Sequence, residues 1–392
     1  MLNVARLLFL VPLSALLLSC AGGDRADVPY ESSQDFPVPD GLEDAVTFWR
    51  SVYTQWGRDK VVVHDDRHLA LVYEVVDLPG RIEDSYTPAQ RDYVEALKAR
   101  WSGRLRALER KVATGQRLSP TERDLKQRIE DKGGPGAVFA AAERVRTQRG
   151  VRERYLAGLE ASGAYDALFR EVFRRYGLPE DLAYLPHVES SFQLNARSSA
   201  GASGMWQFMR STGQQYMTVN AVIDERLDPV TAADGAARYL KRSYASLHSW
   251  PLALTSYNHG LGGMQRARAQ FGNDMARIVE HYDGRYFGFA SRNFYAQFLA
   301  ARHVAQNAAT YFPEGVHYRA PLGDHPVVLR YAVTVDDLSR HYRVPPTVLI
   351  ARNYAWLGPI RSGSAAIPAG TKVWVPTSAF RLASGQPMPN AF

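Results

Sequence analysis

Apolar side chains recur every three or four residues through most of this chain, and alternate or run continuously in a few short stretches. Phe48, Trp49, Val52, Tyr53 and Trp56 form an aromatic stripe at helical spacing, closed by Gly57, and read as core. Lys60 to Val63 and Leu69 to Val76, with Asp65-Asp66-Arg67-His68 between them, predict a β-hairpin. Thr87-Pro88-Ala89-Gln90 and Ser119-Pro120-Thr121-Glu122 each join an N-cap hydroxyl, a proline at the first helical position and Gln or Glu three residues on, which predicts two helix starts. The charged stretch from Arg91 to Lys132 reads as solvated helix faces. Beyond Gly133-Gly134-Pro135-Gly136 the pattern from Phe139 to Tyr176 is helical in at least two pieces. Tyr165, Leu168, Phe169, Val172, Phe173 and Tyr176 share one face before Gly177 ends that helix and Pro179 starts the next. Asp228-Pro229 caps a helix through Leu240, Pro251 opens one through Ser256, and Phe294, Tyr295, Phe298 and Leu299 mark a last one ending near Thr310.

The tail changes period. Pro313 to Pro326 reads as a linker, Val327 to Val333 as a strand, Val335 to Tyr342 and Pro346 to Asn353 as short helices, and Lys372 to Pro376 as a second strand. This β-α-α-β order fits one layer of helices on a hairpin. At 392 residues the chain exceeds one ordinary core and calls for two or three domains. The net charge, 47 minus 40 or +7, is spread through Arg-rich helices without a long basic run. It favours loose attraction to an anionic polymer or membrane surface and argues against nucleic acid. Zinc-finger spacing, a Walker loop and a Rossmann glycine fingerprint are all missing, so neither a cofactor nor a metal is expected.

The amino-terminal segment bears on compartment. Met1 to Arg6 carries one basic side chain, and Leu7 to Leu18 is an apolar run short for a bilayer span, so the segment reads as an export signal. It ends Leu17-Leu18-Ser19-Cys20, and Cys20 is the single cysteine. The arrangement resembles the bacterial lipoprotein signal, with Leu18 bulkier than the usual small residue. The resemblance implies lipidation at Cys20, and Ala21 after it resembles lipoproteins sent to the outer membrane. An acyl chain contributes roughly 0.8 kcal/mol per buried methylene, enough for durable anchoring when several chains are attached. A chain with one cysteine has no internal disulfide, so packing must supply its stability. Residues 21 to 42 are polar and turn-rich and read as a tether.

One carboxylate stands out chemically. In Leu182-Ala183-Tyr184-Leu185-Pro186-His187-Val188-Glu189-Ser190-Ser191-Phe192, a helix entered at Pro179 puts Glu189 on the face of Leu182 and Leu185. A carboxyl held against apolar side chains keeps its proton to higher pH, as a general acid near neutrality requires. Most glutamates are structural, and Glu189 alone would read so. Its company shifts the reading: Ser198, Gln207, Tyr257 and Asn258, polar groups of the kind that hold a sugar, follow in Gly-rich or aromatic surroundings. No second acid stands among them, since Asp228 reads as a helix cap and Glu180 and Asp181 fall in a first helical turn. His187 reads as an exposed helix residue, and neither it nor His259 has a nucleophile beside it.

Glu189-Ser190, Gly204-Met205-Trp206-Gln207-Phe208 and Tyr257-Asn258, in this order and spacing, resemble the soluble-lytic-transglycosylase family, especially its membrane-bound type D members. The resemblance covers residues 166 to 312. It implies a mainly α protein: a lysozyme-like all-α catalytic domain similar to goose-type lysozyme, a helical N-terminal region, and a small α+β C-terminal module. By that resemblance Glu189 is the single acid/base, Ser198 orients the acid or the reacting acetamido group, Met205, Gln207 and Phe208 line the cleft, and Tyr257 and Asn258 flank the cleaved bond. The family often has tyrosine where Phe294 falls, so either Tyr295 substitutes or that contact is lost. The module at 327–376, with Asp336-Asp337-Leu338-Ser339 and Ile367-Pro368-Ala369-Gly370, resembles a degenerate LysM without its usual Gly-Asp turn. The expected organisation is a signal over 1–19, a tether over 20–42, a helical region over 43–165, the catalytic domain over 166–312, a linker over 313–326 and the LysM-like module over 327–376. The implied partners are peptidoglycan glycan strands, and the implied place is the outer membrane, lipid-anchored and facing the periplasm. Two alternatives stand beside a lytic transglycosylase: a hydrolytic muramidase with a second carboxylate, and a non-catalytic wall-binding scaffold.

Overall fold

The structure, a computed structural model, describes Tyr30 and residues 32–383. The export signal and Cys20 lie outside the described residues. The fold is mainly α. Among the described residues no helix is long and apolar enough to cross a membrane.

Helix α1 (Glu43–Thr54) buries the aromatic stripe, with Phe48, Trp49, Val52 and Tyr53 inside. A three-stranded antiparallel sheet follows, ordered β2 (Val72–Asp77), β1 (Lys60–Asp65), β3 (Val145–Arg149). The predicted hairpin is present in the register Lys60 opposite Asp77. Helices α2 (Pro88–Ala113) and α3 (Pro120–Gly133) begin at Thr87 and Ser119 with both capping boxes formed. They cover the sheet around Val61, Val63, Leu105, Leu125 and Ile129. Two expectations change here. The stretch from Phe139 is not helical at first, because it turns and then pairs as β3 with β1, and residues 43–165 are helical only in part.

Helices α4 (Arg152–Ser162) and α5 (Asp166–Arg175) lead to a 3₁₀ turn, Glu180–Tyr184, and the single-turn helix α6 (Leu185–Glu189). After the short α7 (Arg210–Gly213) come α8 (Pro229–Leu247), α9 (Trp250–His259), α10 (Leu261–Phe271), α11 (Met275–His281), α12 (Phe289–Gln306) and α13 (Ala308–Tyr311). Asp228 caps α8 through the Thr231 amide, 2.7 Å away. Helix α12 runs through the middle of this bundle and packs on α1, α6 and α9. The Trp49 indole of α1 donates to Asn293 of α12 at 3.0 Å, so the leading helix shares the core of the region that follows.

The tail folds as β4 (Asp324–Val328), α14 (Val335–Tyr342), α15 (Pro346–Arg352), α16 (Gly358–Arg361), β5 (Lys372–Pro376) and α17 (Thr377–Ala383). The predicted β-α-α-β order is present with two additions, α16 before the last strand and α17 after it, and the first strand is shifted. The first strand begins at Asp324 and ends at Val328, because its register is set by pairing with β5, Asp324 opposite Pro376. Leu329 to Ala332 turn away, and Val333 keeps only a bridge to Ile367. Ile223, from the loop before α8, inserts into the tail's core beside Leu338, Trp356 and Val373.

Candidate active site

Glu189 ends α6, and the approach to it differs from a regular helix. Residues 180–184 wind as 3₁₀ and only the last turn is α. Leu182 and Leu185 are nonetheless fully buried beneath it. Glu189 itself is half-buried, and desolvation by its surroundings pushes its carboxyl up to about 8. Among the described residues nothing donates a hydrogen bond to it or pairs with it. A carboxyl in this condition keeps its proton to higher pH than an exposed one.

The chain after Glu189 is held in an unusual path. Ser191 and Phe192 both take left-handed backbone angles, φ +50° and +56°. Side chains disfavour that region, and such strain concentrates where geometry serves chemistry. Tertiary contacts hold it: the Ser190 hydroxyl donates to the Met205 carbonyl at 2.8 Å, and Phe192 packs against His187 and Phe169. Gly158 of α4 approaches the Ser191 carbonyl so closely that a Cβ there would stand 2.9 Å from its oxygen.

The Gly-rich block folds back on Glu189's loop. Ser203 bridges both Arg197 and Phe208. The Gln207 amide donates to the carbonyls of Gly204, 2.7 Å, and Ala196, 3.2 Å, and its backbone is also left-handed at φ +49°. Gly204 lies at φ +80°, where a Cβ would overlap the Arg226 carbonyl. Trp206 is fully buried, packs edge-on against Phe169, and donates its indole N–H to the Pro229 carbonyl at 3.0 Å.

Tyr257 and Asn258 lie near the end of α9. The Tyr257 hydroxyl donates to the Trp206 carbonyl at 2.9 Å, and its ring meets Phe208 edge-on. Burial and the nearby Glu189 charge raise the Tyr257 phenol well above its ordinary value, so it stays neutral. Asn258 is exposed, and its side-chain oxygen accepts from Ser291 at 2.7 Å.

The remaining sequence-predicted residues take varied places. Ser198 is exposed, and its hydroxyl accepts from the Ala202 amide at 3.0 Å, closing its own loop. Met205 and Phe208 are buried. Tyr295 is fully buried in α12, where its hydroxyl donates to the Pro37 carbonyl at 2.7 Å and fastens the segment ahead of α1. Phe294 beside it is also buried. His187 corrects an expectation. It is 2% exposed, stacked between Tyr155 and Tyr184, because α4 packs over α6. Burial pushes its imidazole down to about 3, so it is neutral.

Sequence reasoning missed the layer behind the Gly-rich block. Arg226 and Asp224 form a buried ion pair, Nη2 to Oδ2 2.7 Å, and Arg226 also donates to the Phe208 carbonyl at 3.2 Å. Trp374 of β5 donates its indole N–H to the Asp228 carboxylate, and the Asp224 amide donates to the Ala355 carbonyl at 2.9 Å. The C-terminal module therefore braces the loop that backs Gly204 and Phe208. The Asp224-Glu225-Arg226 spacing is a local signal that could have been found, whereas nothing near Trp374 in sequence points to Asp228.

No group of three or more His, Cys, Asp or Glu side chains among the described residues is arranged to hold a metal ion. Among known proteins, membrane-bound lytic murein transglycosylase D of Escherichia coli (strain K12) is 33% identical over 96 residues, covering 24% of this chain and 21% of that protein. Membrane-bound lytic murein transglycosylase F of Stutzerimonas stutzeri (strain A1501) is 28% identical over 157 residues, covering 34% of this chain and 31% of that protein. The chain thus spans about a fifth to a third of the length of these relatives. A solved structure of an inactive mutant of the lytic transglycosylase Slt from Pseudomonas aeruginosa aligns at TM-score 0.24 and 23% identity, covering 38% of this chain and 23% of that one. Glu189, the Gly-rich block and Tyr257-Asn258 all fall inside residues 167–279, which match the family described as Transglycosylase SLT domain.

Proposed function

We propose that this protein is a peptidoglycan lytic transglycosylase that cleaves the β-1,4 bond between N-acetylmuramic acid and N-acetylglucosamine, with Glu189 as its one acid and base. The observation that carries the reading is the half-buried Glu189 carboxyl, which has no partner among the described residues and which desolvation pushes up. Most glycosidases need two carboxylates. A hydrolytic muramidase would need a free partner acid, and four acids of this domain are engaged elsewhere. Asp181 pairs with Arg302 at 2.6 Å, Asp224 with Arg226 at 2.7 Å and Asp234 with Arg238 at 2.9 Å, while Asp228 caps α8 and accepts from Trp374.

One acid suffices when the substrate attacks itself. Glu189 gives its proton to the bridging oxygen as the bond to the anomeric carbon breaks, and the acetamido oxygen of the muramic ring stabilises the cationic carbon. The C6 hydroxyl of the same ring then attacks that carbon, and its proton returns to Glu189. The product is a 1,6-anhydro sugar, no water is consumed, and the nucleophile's place on the same ring is a large proximity advantage. In this reading Tyr257 and Asn258 flank the bond, Ser198 orients the acid or the reacting acetamido group, and Met205, Gln207 and Phe208 line the cleft. Cys20 carries the lipid anchor that holds the enzyme at the outer membrane facing the wall, and the module from 327 to 376 is a LysM-like contribution to glycan contact.

Digestion of purified peptidoglycan, with the muropeptides weighed, tests this. Anhydro ends are expected. Reducing ends heavier by one water, with no anhydro form, would refute the mechanism and favour the muramidase.

A further inference from the structure

The loop 201–208, which carries Met205, Gln207 and Phe208, follows a path that its own residues do not favour. Gly201, Gly204 and Gln207 all take left-handed angles, φ +90°, +80° and +49°. Such a stretch keeps one conformation only where groups outside it hold its carbonyls. Side chains from elsewhere do so here. Ser190, the neighbour of Glu189, donates its hydroxyl to the Met205 carbonyl at 2.8 Å, and the Tyr257 hydroxyl donates to the Trp206 carbonyl at 2.9 Å. Arg226 takes both ends of the loop, its Nη1 donating to the Phe208 carbonyl at 3.2 Å and to the Gly201 carbonyl at 3.4 Å.

The guanidinium is itself fixed. Its Nε and Nη2 donate to the two oxygens of the Asp224 carboxylate at 2.9 and 2.7 Å, and both residues are only 5% exposed. The Asp224 amide is in turn held by the Ala355 carbonyl of the C-terminal module at 2.9 Å. The backbone joins in as well, since a Cβ on Gly204 would stand 1.8 Å from the Arg226 carbonyl oxygen. A buried ion pair adds little net stability, because desolvation of the two charges offsets most of their attraction. What a planar fork supplies, and an apolar pair of the same bulk does not, is direction: it points donors at a carboxylate and at two carbonyls at once.

We propose that Arg226 is a positioning residue for cleavage: it sets where the loop 201–208 stands against Ser190 and Tyr257, and through them how Glu189 meets the bridging oxygen. The inference rests on the reading of Glu189 as the acid and gives Arg226 no contact with substrate.

Steady-state turnover of soluble, uncrosslinked peptidoglycan strands by the full chain, read as anhydro ends, tests it with three variants. Arg226→Lys keeps the charge and loses the fork. Asp224→Asn keeps the shape and weakens the hold on the fork. Asp224→Leu combined with Arg226→Met removes both charges and keeps the bulk. Circular dichroism gives the folded fraction by which each rate is divided, and urea midpoints give stability. For Arg226→Lys and for the apolar pair, kcat per folded molecule should fall about tenfold to a hundredfold with KM within about twofold of the unmutated value, and for Asp224→Asn it should fall less. The apolar pair should nevertheless have a urea midpoint close to that of the unmutated chain or above it. A purely structural Arg226 predicts otherwise: activity lost only in proportion to the folded fraction, and regained with stability in the apolar pair. That result, or an unchanged kcat in Arg226→Lys, would overturn the proposal. Should either of these variants fail to fold, the isosteric Asp224→Asn decides, and an unchanged kcat there would overturn it too. A lack of anhydro ends from the unmutated chain would overturn the reading of Glu189 itself, and this inference with it.

Discussion

Replacing Glu189 by glutamine should make the protein more stable, and increasingly so as pH rises. The carboxyl's displacement from an ordinary 4.5 to about 8 means that the folded chain favours its protonated form. Below pH 4.5 both folded and unfolded chains hold the proton, and the residue costs nothing. Between 4.5 and 8 the unfolded chain releases the proton while the folded chain keeps it, so stability falls as pH rises, and above 8 the full cost is present. At about 1.4 kcal/mol per pH unit the ceiling is about 5 kcal/mol. Glu189 is only half-buried, so solvent screens part of its charge and about 2–3 kcal/mol is the expected cost. Glutamine keeps the shape and removes the ionisation. Urea unfolding of both proteins at several pH values from 4 to 9 measures the difference, which should start near zero apart from a constant offset and widen through the interval. Parallel stability curves would refute the claim that Glu189 is desolvated, and with it the basis for calling it the acid.

Three further outcomes follow from other residues. Gly204→Ala should abolish cleavage of peptidoglycan and lower the urea midpoint sharply, since the new Cβ overlaps the Arg226 carbonyl and φ is +80°; an active, stable variant would show that the tight turn does not set the cleft wall. Trp374→Phe should cost about 1–3 kcal/mol in urea unfolding, because it leaves the buried Asp228 carboxylate short of a donor; no change would mean that the module does not brace the loop. His187→Phe should flatten the loss of stability on acidification, because a buried imidazole held at about 3 cannot take the proton that the unfolded chain takes below 6.5. Thermal unfolding from pH 4 to 7 reads this, and an unaltered slope would place the acid sensitivity elsewhere.

Local signals were the legible ones. Thr87, Ser119 and Asp228 cap helices because the donors they satisfy lie three residues away, so the sequence contains the whole interaction. The strand Lys372–Pro376 was equally plain from its apolar run. The Val145–Arg149 strand was not, because its polar residues join the sheet only through pairing with β1, a partner some 80 residues away. His187 was misjudged for the same kind of reason: its burial comes from Tyr155 of α4, which a local period cannot reveal. At the site, Glu189, Gln207 and Tyr257 were recognisable by kind and spacing. The Trp374 to Asp228 bond, 146 residues apart, had no local trace.

The left-handed trio of Ser191, Phe192 and Gln207 bears on how this domain can change over generations. Glycine would relax the backbone at each of these positions, so drift toward a sturdier chain has an easy route there. Phe192 fills space against His187 and Phe169, and the Gln207 amide ties two carbonyls together, so the relaxed chain would lose the wall that these side chains build. If the proposed cleavage is what the loop serves, robustness and activity pull Phe192 and Gln207 in opposite directions, and a lineage that gained glycine there would be one in which that activity had lapsed.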